Sequence, residues 1–453
     1  MTALGDAHDQ LTAAVRRVLP EVRRDLEDLV AIPSVSADPD AAPHVRASAE
    51  AVAQLLRGVG MPQVDVLSAG DGQPAVLAHR PGPPGAPTVL LYAHHDVQPT
   101  GDLAAWESEP FEPAERGGRL YGRGAADDKA GIAVHLAVLR AYGDRLPVGV
   151  TVLIEGEEEI GSPTLPAFLA AYSGRVQADV VVLADSANAS VDVPALTTSL
   201  RGGANVIVEV RALDHGVHSG LYGGAVPDAL TALCRLLATL HDEHGDVAVE
   251  GLTRTSVDGS TLTEKELRAE AGLLDGVQFI GTGALAERLW THPAIDVTGL
   301  DAPPVASAPN TLIPSARAKV SMRNAPGDDA DRAREALITH LKTHAPWGVE
   351  VTVEPSGGTI TPWAASPGGV AYRAAHAALA QAWGTPAIDI GVGGSMGIVT
   401  AFAETIPGAE LLVTGVEDPD TRAHAANESL DLKVFERACL AEALLLDFLA
   451  RPS

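Results

Sequence analysis

The sequence predicts an α/β fold, in which a domain built on a mostly parallel β-sheet is interrupted by an inserted α+β (ferredoxin-like) domain. In the first 200 residues, continuous apolar runs alternate with segments of helical periodicity, as expected of strands that helices cover on both faces. From about residue 203, apolar and polar residues alternate, which is typical of a sheet with one buried face. The length of 453 residues fits two domains.

The elements of the first domain follow in order from these patterns. Apolar residues that recur every three or four positions predict helices over residues 21–31, 46–57 and 129–142. Short continuous apolar runs predict buried strands over residues 75–78, 88–92, 150–154 and 178–184. Because strands and helices alternate, the sheet should be largely parallel and lie between helix layers.

The inserted domain is predicted from a strand–helix–strand–helix–strand order on a one-sided sheet. Its strands cover residues 205–210, 316–323 and 349–354, and its helices cover residues 228–241 and 331–343. After a Ser-Gly-Gly exit at residues 356–358, two more helices follow over residues 370–383 and 432–449. We therefore assign residues 1–202 and 358–453 to the main domain and residues 203–357 to the insert.

The composition argues against two classes of partner. Lys and Arg number 32 and Asp and Glu 59, so the formal net charge is −27. Nucleic acids and anionic membranes both attract basic surfaces, so neither is an expected partner. The two cysteines, Cys234 and Cys439, are too few for a disulfide framework, and the N-terminal residues lack the apolar core of a secretory signal. We therefore expect a cytoplasmic protein.

Five short segments carry the side-chain types that bind metal ions. Three follow directly after predicted buried strands: His94-His95-Asp96, the acidic run through Glu158 and Glu159, and Asp185. The other two are the Asp127-Asp128 pair before a predicted helix and His424 in a loop before the last helix. Each has a simpler interpretation when taken alone, because paired aspartates cap helices and acidic runs are usually solvated.

Taken together, the five segments predict a two-metal site. Ligands of open α/β sheets bind beyond the carboxyl ends of the strands, where three of these segments lie. Two histidines and three carboxylates suit Zn²⁺ or Mn²⁺. Five ligands exceed what one catalytic zinc uses, so a bridging carboxylate between two ions roughly 3.5–4 Å apart fits better. A further glutamate beside a ligand glutamate would then serve as a base for water.

These motifs resemble the co-catalytic zinc metallopeptidases, which include carnosinases, cytosolic non-specific dipeptidases, carboxypeptidase G, aminoacylases, and the acetylornithine and succinyl-diaminopimelate hydrolases. The resemblance runs from the IPSVS stretch at residues 32–36 to the HAANE stretch at residues 424–428. The stretches HDVQP, YGRGAADDK and EGEEEIGS favour the dipeptidase and carnosinase side. The resemblance implies a zinc-peptidase catalytic domain with two Zn²⁺ ions per subunit, replaceable by Mn²⁺ or Co²⁺.

The resemblance also implies a set of metal ligands. His94 and Asp185 would hold one ion, and Glu159 and His424 the other. Asp127 would bridge the two ions.

Three further roles in the main domain follow from the same resemblance. The peptide bond between Asp127 and Asp128 would be cis. Asp96 would orient the imidazole of His94, as second-shell carboxylates commonly do. Glu158 would be the general base for water.

The inserted domain would be a lid and dimerisation domain in this family. The DHGVHSG segment places His218 where relatives have an oxyanion-stabilising histidine, which the other subunit supplies in dimeric members. Thr311 and Arg323 would hold the substrate, with Arg323 on its carboxylate. Gly394 and Ser395 resemble a loop that also contacts this carboxylate. We therefore expect a homodimer formed through the insert.

The substrate loop departs from the family pattern. The stretch GVGGSMG at residues 391–397 stands where relatives often have REGGSIP, so Val392 replaces an acidic side chain and Gly397 a proline. An acidic side chain could pair with a free substrate amine, and Val392 cannot. Recognition of the substrate carboxylate is less affected.

The leading functional prediction is a di-zinc dipeptidase. It would hydrolyse the amide bond of dipeptides with a free C-terminal carboxylate, using metal-bound hydroxide and Glu158 as the base. The alternative is an N-acyl-amino-acid amidohydrolase or carboxypeptidase with the same metal site and a different lid. A third interpretation, an inactive homologue that only binds a ligand, is disfavoured because all five ligand residues and Glu158 are present.

Overall fold

The computed structural model of the protein describes residues 3–257, 262–366 and 368–451, and the chain divides into two compact units. The first unit comprises Met1–Thr198, Ala365–Ile390 and Gly397–Ser453. The second comprises Ser199–Ala364 and the short stretch Gly391–Met396. The chain therefore passes through the second unit twice.

The helices begin and end close to where local sequence signals place them. Asp329 and Asp431 accept hydrogen bonds from main-chain N–H groups of the first turns that follow them, which is the usual N-cap arrangement. No described helix is long and apolar enough to cross a membrane. The α-helices of the described residues are α1 (Ala3–Val30), α2 (Ala42–Gly58), α3 (Lys129–Tyr142), α4 (Leu165–Ala171), α5 (Ser219–Tyr222), α6 (Ala229–Leu237), α7 (Glu264–Glu270), α8 (Ala330–Thr343), α9 (Val370–Trp383), α10 (Gly397–Thr405) and α11 (Leu432–Leu449).

The strands of the described residues form one large sheet and three smaller ones. In chain order they are β1 (Gln63–Leu67), β2 (Ala75–Arg80), β3 (Thr88–His94), β4 (Ala114–Arg116), β5 (Arg119–Tyr121), β6 (Gly149–Glu155), β7 (Val180–Leu183), β8 (Ala195–Leu200), β9 (Gly202–Arg211), β10 (Val217–His218), β11 (Ala294–Asp301), β12 (Thr311–Leu312), β13 (Ser315–Asn324), β14 (Glu350–Pro355), β15 (Trp363–Ala364), β16 (Ile388–Val392), β17 (Glu410–Val413) and β18 (Ser429–Asp431).

The large sheet has a parallel centre and antiparallel flanks. Its strand order is β1-β2-β6-β3-β7-β17-β8-β15, and β16 also pairs with β8. The pairs β6–β3, β3–β7 and β7–β17 are parallel, whereas β1, β2 and β8 pair antiparallel. All seven residues of β6 are buried, as the continuous apolar runs predict for strands covered on both faces. The predicted α/β fold class is confirmed.

The first helix is longer than predicted. The apolar pattern predicts a helix from residue 21, after Pro20, but α1 begins at Ala3 and runs through this proline. Its buried residues Val15, Val22 and Leu26 lie on one face, and α1 packs against α3 and α11. Packing of this face therefore outweighs the main-chain hydrogen bond that Pro20 cannot make.

The second unit contains an antiparallel sheet with two helices on one face. The strand order is β11-β13-β9-β14, and α6 and α8 pack against this sheet. In chain order the elements run β9-α6-β11-β13-α8-β14, which is the ferredoxin-like arrangement. Val206, Val208 and Val210 of β9 are fully buried, as their alternation with polar residues predicts. The predicted inserted α+β fold is confirmed.

Candidate metal centre

The carboxyl ends of three neighbouring parallel strands meet at one edge of the large sheet. Strand β3 ends at His94, which lies opposite Glu155, the last residue of β6. Strand β7 ends at Leu183, two residues before Asp185. Because these strands are adjacent and parallel, the side chains that follow them converge, as the sequence predicts.

Six metal-type side chains lie together at this edge. They form two groups of three residues. Within each group, the possible ligand atoms all lie within 4.8 Å of one another. One group is His94, Glu158 and Asp185, and the other is Asp127, Glu159 and His424.

Asp127 lies between the two groups. Its Oδ1 is 3.1 Å from Nε2 of His94, and its Oδ2 is 2.9 Å from Nε2 of His424. Nε2 of His424 also lies 3.2 Å from Oε2 of Glu159. One oxygen of Asp127 therefore faces each group. The peptide bond between Asp127 and Asp128 is cis, as the family resemblance predicts.

Asp96 connects the ends of β3 and β6. Its main-chain oxygen lies 3.1 Å from Nδ1 of His94, and its carboxylate lies 3.4 Å from the same nitrogen. The two carboxylate oxygens accept hydrogen bonds from the main-chain N–H groups of Glu158 and Glu159, at 3.2 and 3.1 Å. A contact to Nδ1 leaves Nε2 as the nitrogen of His94 that faces Asp127.

Gln98 contacts Glu159, and the sequence did not predict this contact. Its main-chain N–H donates to Oε1 of Glu159 at 3.0 Å, and its side-chain amide donates to Oε2 at 2.8 Å. Both carboxylate oxygens of Glu159 are therefore held in place by one residue. The HDVQP motif contains this glutamine, but nothing in the motif says which side chain it contacts.

Glu428, also without a predicted role, organises the loop that carries Asp127. Its buried carboxylate accepts hydrogen bonds from the main-chain N–H groups of Gly124, Ala126 and Asp127 at 3.0–3.1 Å. It also pairs with the guanidinium of Arg123 at 2.6 Å. Arg123 in turn donates to the carbonyl of Ala425, the residue after His424. One buried ion pair therefore ties the Asp127 loop to the His424 loop.

The acidic side chains at this edge lie close enough to perturb one another's pKa values. Burial, together with the charges of Asp127 and Glu159, raises the pKa of Asp185 to about 7. Burial and the charge of Asp185 raise the pKa of Glu158 well above its ordinary value. Hydrogen bonds to Asp127 and Glu159 raise the pKa of the His424 imidazole to about 11. Bound cations would replace the protons that these pKa values imply.

The residues fit divalent metal ions. Four carboxylates and two imidazoles are the oxygen and nitrogen donors that Zn²⁺ and Mn²⁺ prefer. Nε2 of His94 is buried and lacks a hydrogen-bond partner among the described residues. Buried polar atoms normally have a partner, so this nitrogen is suited to bind a metal ion.

Four of the predicted substrate residues form two pairs within the second unit, which contains the Gly391–Met396 stretch in addition to Ser199–Ala364. His218 of β10 lies opposite Thr311 of β12 in a short antiparallel ribbon. Nδ1 of His218 accepts a hydrogen bond from the N–H of Gly220 at 3.1 Å, so Nε2 carries the proton in the neutral ring. Nη1 of Arg323 donates to Oγ of Ser395 at 2.7 Å, and Gly394 lies next to this serine.

The sheet edge and its six converging side chains form a candidate site for divalent metal ions, the kind of site that metal-dependent hydrolases use. The chain belongs to Peptidase family M20/M25/M40, whose model matches residues 90–447. It is therefore a hydrolytic enzyme, and the two groups of ligand side chains indicate metal cofactors.

Relatives of this chain carry dipeptidase names. The cysteinylglycine-S-conjugate dipeptidase of Corynebacterium striatum is 37% identical over 368 residues, which cover 80% of this chain and 81% of the relative. The Beta-Ala-His dipeptidase of Homo sapiens is 28% identical over 389 residues, which cover 80% of this chain and 75% of the relative.

Solved structures share the fold of this chain. Human carnosine dipeptidase 1 superposes with a TM-score of 0.82 at 24% identity and covers 98% of both chains. The di-peptidase Dug1p of Saccharomyces cerevisiae has the same TM-score at 22% identity, again over 98% of both chains.

Proposed function

We propose that this protein is a metal-dependent dipeptidase that uses two Zn²⁺ ions. The observation that carries this proposal is the position of Asp127, whose two oxygens face His94 and His424 in the two ligand groups. Membership of the peptidase family supports hydrolysis of a peptide bond, and the dipeptidase names of the relatives support a dipeptide as the substrate. His94 and Asp185 would hold one ion, Glu159 and His424 the other, and Asp127 both.

When bound, two divalent ions polarise a carbonyl and lower the pKa of water. The protein then has to deliver and remove protons. Glu158 is suited to this task because it lies beside the ligand Glu159 and its main-chain N–H is fixed by Asp96. It would accept a proton from the attacking water and pass it to the leaving amine.

The substrate's C-terminal carboxylate would lie against Arg323 and Ser395. A guanidinium binds a carboxylate with two parallel hydrogen bonds, and the serine hydroxyl that Arg323 contacts is a further donor. His218 would stabilise the oxyanion through Nε2, since Nδ1 is already an acceptor for Gly220.

We also propose a homodimer in which the second unit supplies His218 to the partner's metal centre. Strand β11 is an edge of the four-stranded sheet, with exposed apolar side chains at Val297 and Leu300. The unpaired main-chain groups of such an edge strand can pair with the same strand of a second copy across a two-fold axis. A cytoplasmic location fits the two free cysteines, exposed Cys234 and buried Cys439.

The decisive experiment compares substrates on metal-loaded protein. Protein stripped with a chelator and reloaded with Zn²⁺, Mn²⁺ or Co²⁺ is assayed on a panel of free dipeptides and on N-acetylated and N-succinylated amino acids. Faster turnover of free dipeptides supports the proposal. Faster turnover of the acylated amino acids would instead favour an amidohydrolase, the alternative that Val392 in the substrate loop raises. No turnover with any metal contradicts both.

A further inference from the structure

Arg201 is a buried cation beside the loop that carries Ser395. It lies between β8 and β9 and is 9% exposed. Its Nε donates to the carbonyl of Gly393 at 2.9 Å. Its Nη1 approaches the carbonyls of His292 and Arg288 at 3.3 and 3.4 Å. The guanidinium is thus held by main-chain oxygens alone, which fixes its direction within the second unit.

Among the described residues, no acidic side chain forms an ion pair with Arg201 or Arg323. The hydrogen bonds of Arg201 go to main-chain carbonyls, and Arg323 donates to the hydroxyl of Ser395. Burial and the charge of nearby Arg323 lower the pKa of Arg201 to about 10, and Asp296 offsets this only in part. Buried charges without a partner are costly, so an anion beside these two neighbouring arginines would be stabilised.

The substrate loop packs directly on this guanidinium. A Cβ atom added at Gly393 would lie 2.6 Å from Nη2 of Arg201, so only glycine allows the loop to approach so closely. Two residues later, Oγ of Ser395 accepts the hydrogen bond from Arg323. Gly203 lies beside this hydrogen bond. A Cβ atom added there would lie 3.2 Å from both Nη1 of Arg323 and Oγ of Ser395.

We propose that Arg201 is a positioning residue for substrate specificity: it fixes the Gly391–Met396 loop through the carbonyl of Gly393 and thereby sets Ser395 and Arg323 for a carboxylate. This inference rests on the proposed function, since it names a residue that selects the free C-terminal carboxylate of a dipeptide. Arg201 itself need not touch the substrate. Its positive charge adds to that of Arg323 and favours an anion over a neutral amide.

The test compares alanyl-leucine with its C-terminal amide, alanyl-leucinamide, on wild type and Arg201→Met. Losing the fork of hydrogen bonds and the charge should raise KM for alanyl-leucine by about tenfold or more, with kcat changed far less. The preference for the free acid, expressed as the ratio of the two kcat/KM values, should fall by a similar factor. Arg317→Met is the matched control, because Arg317 is an exposed arginine of β13 that pairs with Asp301.

Each outcome decides the proposal. A variant that loses activity on both compounds equally, or keeps the wild-type preference, overturns it. If Arg201→Met does not fold, Arg201→Lys carries the test, because lysine keeps the charge but cannot make the same fork of bonds, and a smaller loss of preference is then expected. Calorimetric titration with leucine and leucinamide gives the same comparison without turnover. A wild type that binds leucine but hydrolyses no peptide contradicts the proposed function. The role of Arg201 is then decided by calorimetry alone, from the preference of wild type and variant for leucine over leucinamide.

Discussion

A substitution of Glu158 can distinguish metal binding from proton transfer. It belongs to one ligand group by distance, whereas in the proposed site Asp127, Glu159, Asp185 and the two histidines would hold the two ions. We predict that Glu158→Gln keeps both metal ions and loses turnover by about 100-fold or more, because an amide of nearly the same shape cannot accept a proton from water. Metal content by mass spectrometry and the rate on an accepted dipeptide give the result.

The neighbouring acid provides the control for this prediction. Glu157 accepts hydrogen bonds from the main-chain N–H groups of Gln73 and Thr164 and from the Thr164 hydroxyl. These hydrogen bonds stabilise the turn, and Glu157 belongs to neither ligand group. Glu157→Gln should keep most of the turnover, and near wild-type turnover by Glu158→Gln would show that another group is the base.

Asp127 contacts both ligand groups, whereas each histidine belongs to one of them. We predict that Asp127→Ala weakens binding of both ions, because it removes the carboxylate that would bridge and screen them. His94→Ala and His424→Ala should each weaken mainly one. Isothermal titration with Zn²⁺ resolves the two binding events, and loss of only one of them in Asp127→Ala would contradict the bridge.

At the scale of helices, a buried ion pair joins α3 to α11. Nδ1 of His135 lies 2.8 Å from Oε1 of Glu442, and Nε2 lies 3.1 Å from the carbonyl of Tyr92. Burial lowers the pKa of His135, but the charge and hydrogen bond of Glu442 and the carbonyl of Tyr92 raise it above the ordinary value. Acceptors at both ring nitrogens favour the protonated imidazole.

This pair makes stability depend on pH. Because the pKa of His135 is higher in the folded than in the unfolded protein, its contribution is full below the ordinary histidine pKa and is lost as pH rises through the folded pKa. We predict that His135→Gln lowers the free energy of unfolding by about 3 kcal/mol at about pH 6, and that this difference shrinks toward about pH 9. Urea unfolding at several pH values measures it.

A control for this prediction is His79→Gln, since that histidine bonds only the hydroxyl of Thr151 among the described residues. This variant removes a histidine that contacts a neutral hydroxyl and so measures the cost of losing a ring without losing a carboxylate partner. A difference for His135→Gln that grows with pH would mean that the imidazole is neutral in the folded protein.

How far the sequence predicts the elements depends on how local their signals are. Helix α3 has the predicted limits because its apolar period and its flanking aspartate and glycine are local. Strand β11 went unpredicted because its outer residues are exposed and carry no apolar alternation. At the site, strand-end positions indicate the ligands, whereas Gln98, Glu428 and Arg201 could not be found, because their partners lie tens to hundreds of residues away.

For the whole molecule, the prediction concerns association of two copies through the sheet of the second unit. Strand β11 pairs only with β13 in the described sheet, so its other edge is unpaired, and its residues Val297 and Leu300 are 46% and 49% exposed. We predict a homodimer through this edge, with His218 serving the partner's metal centre. Light scattering at working concentration should give the mass of two chains, and Val297→Lys combined with Leu300→Lys should halve it, since charges on an exposed edge prevent pairing.

Mixing two inactive variants tests which subunit supplies His218. His218→Ala lacks the proposed oxyanion donor, and Glu158→Gln lacks the proposed base. If His218 acts in the partner's site, one site of a mixed dimer has both defects and the other has none, so subunit exchange should restore about half of a wild-type dimer's rate to each mixed dimer. If His218 acts within its own subunit, every site keeps one defect and mixing restores nothing. A fully active monomer would also contradict the prediction, because a single chain would then complete its own site.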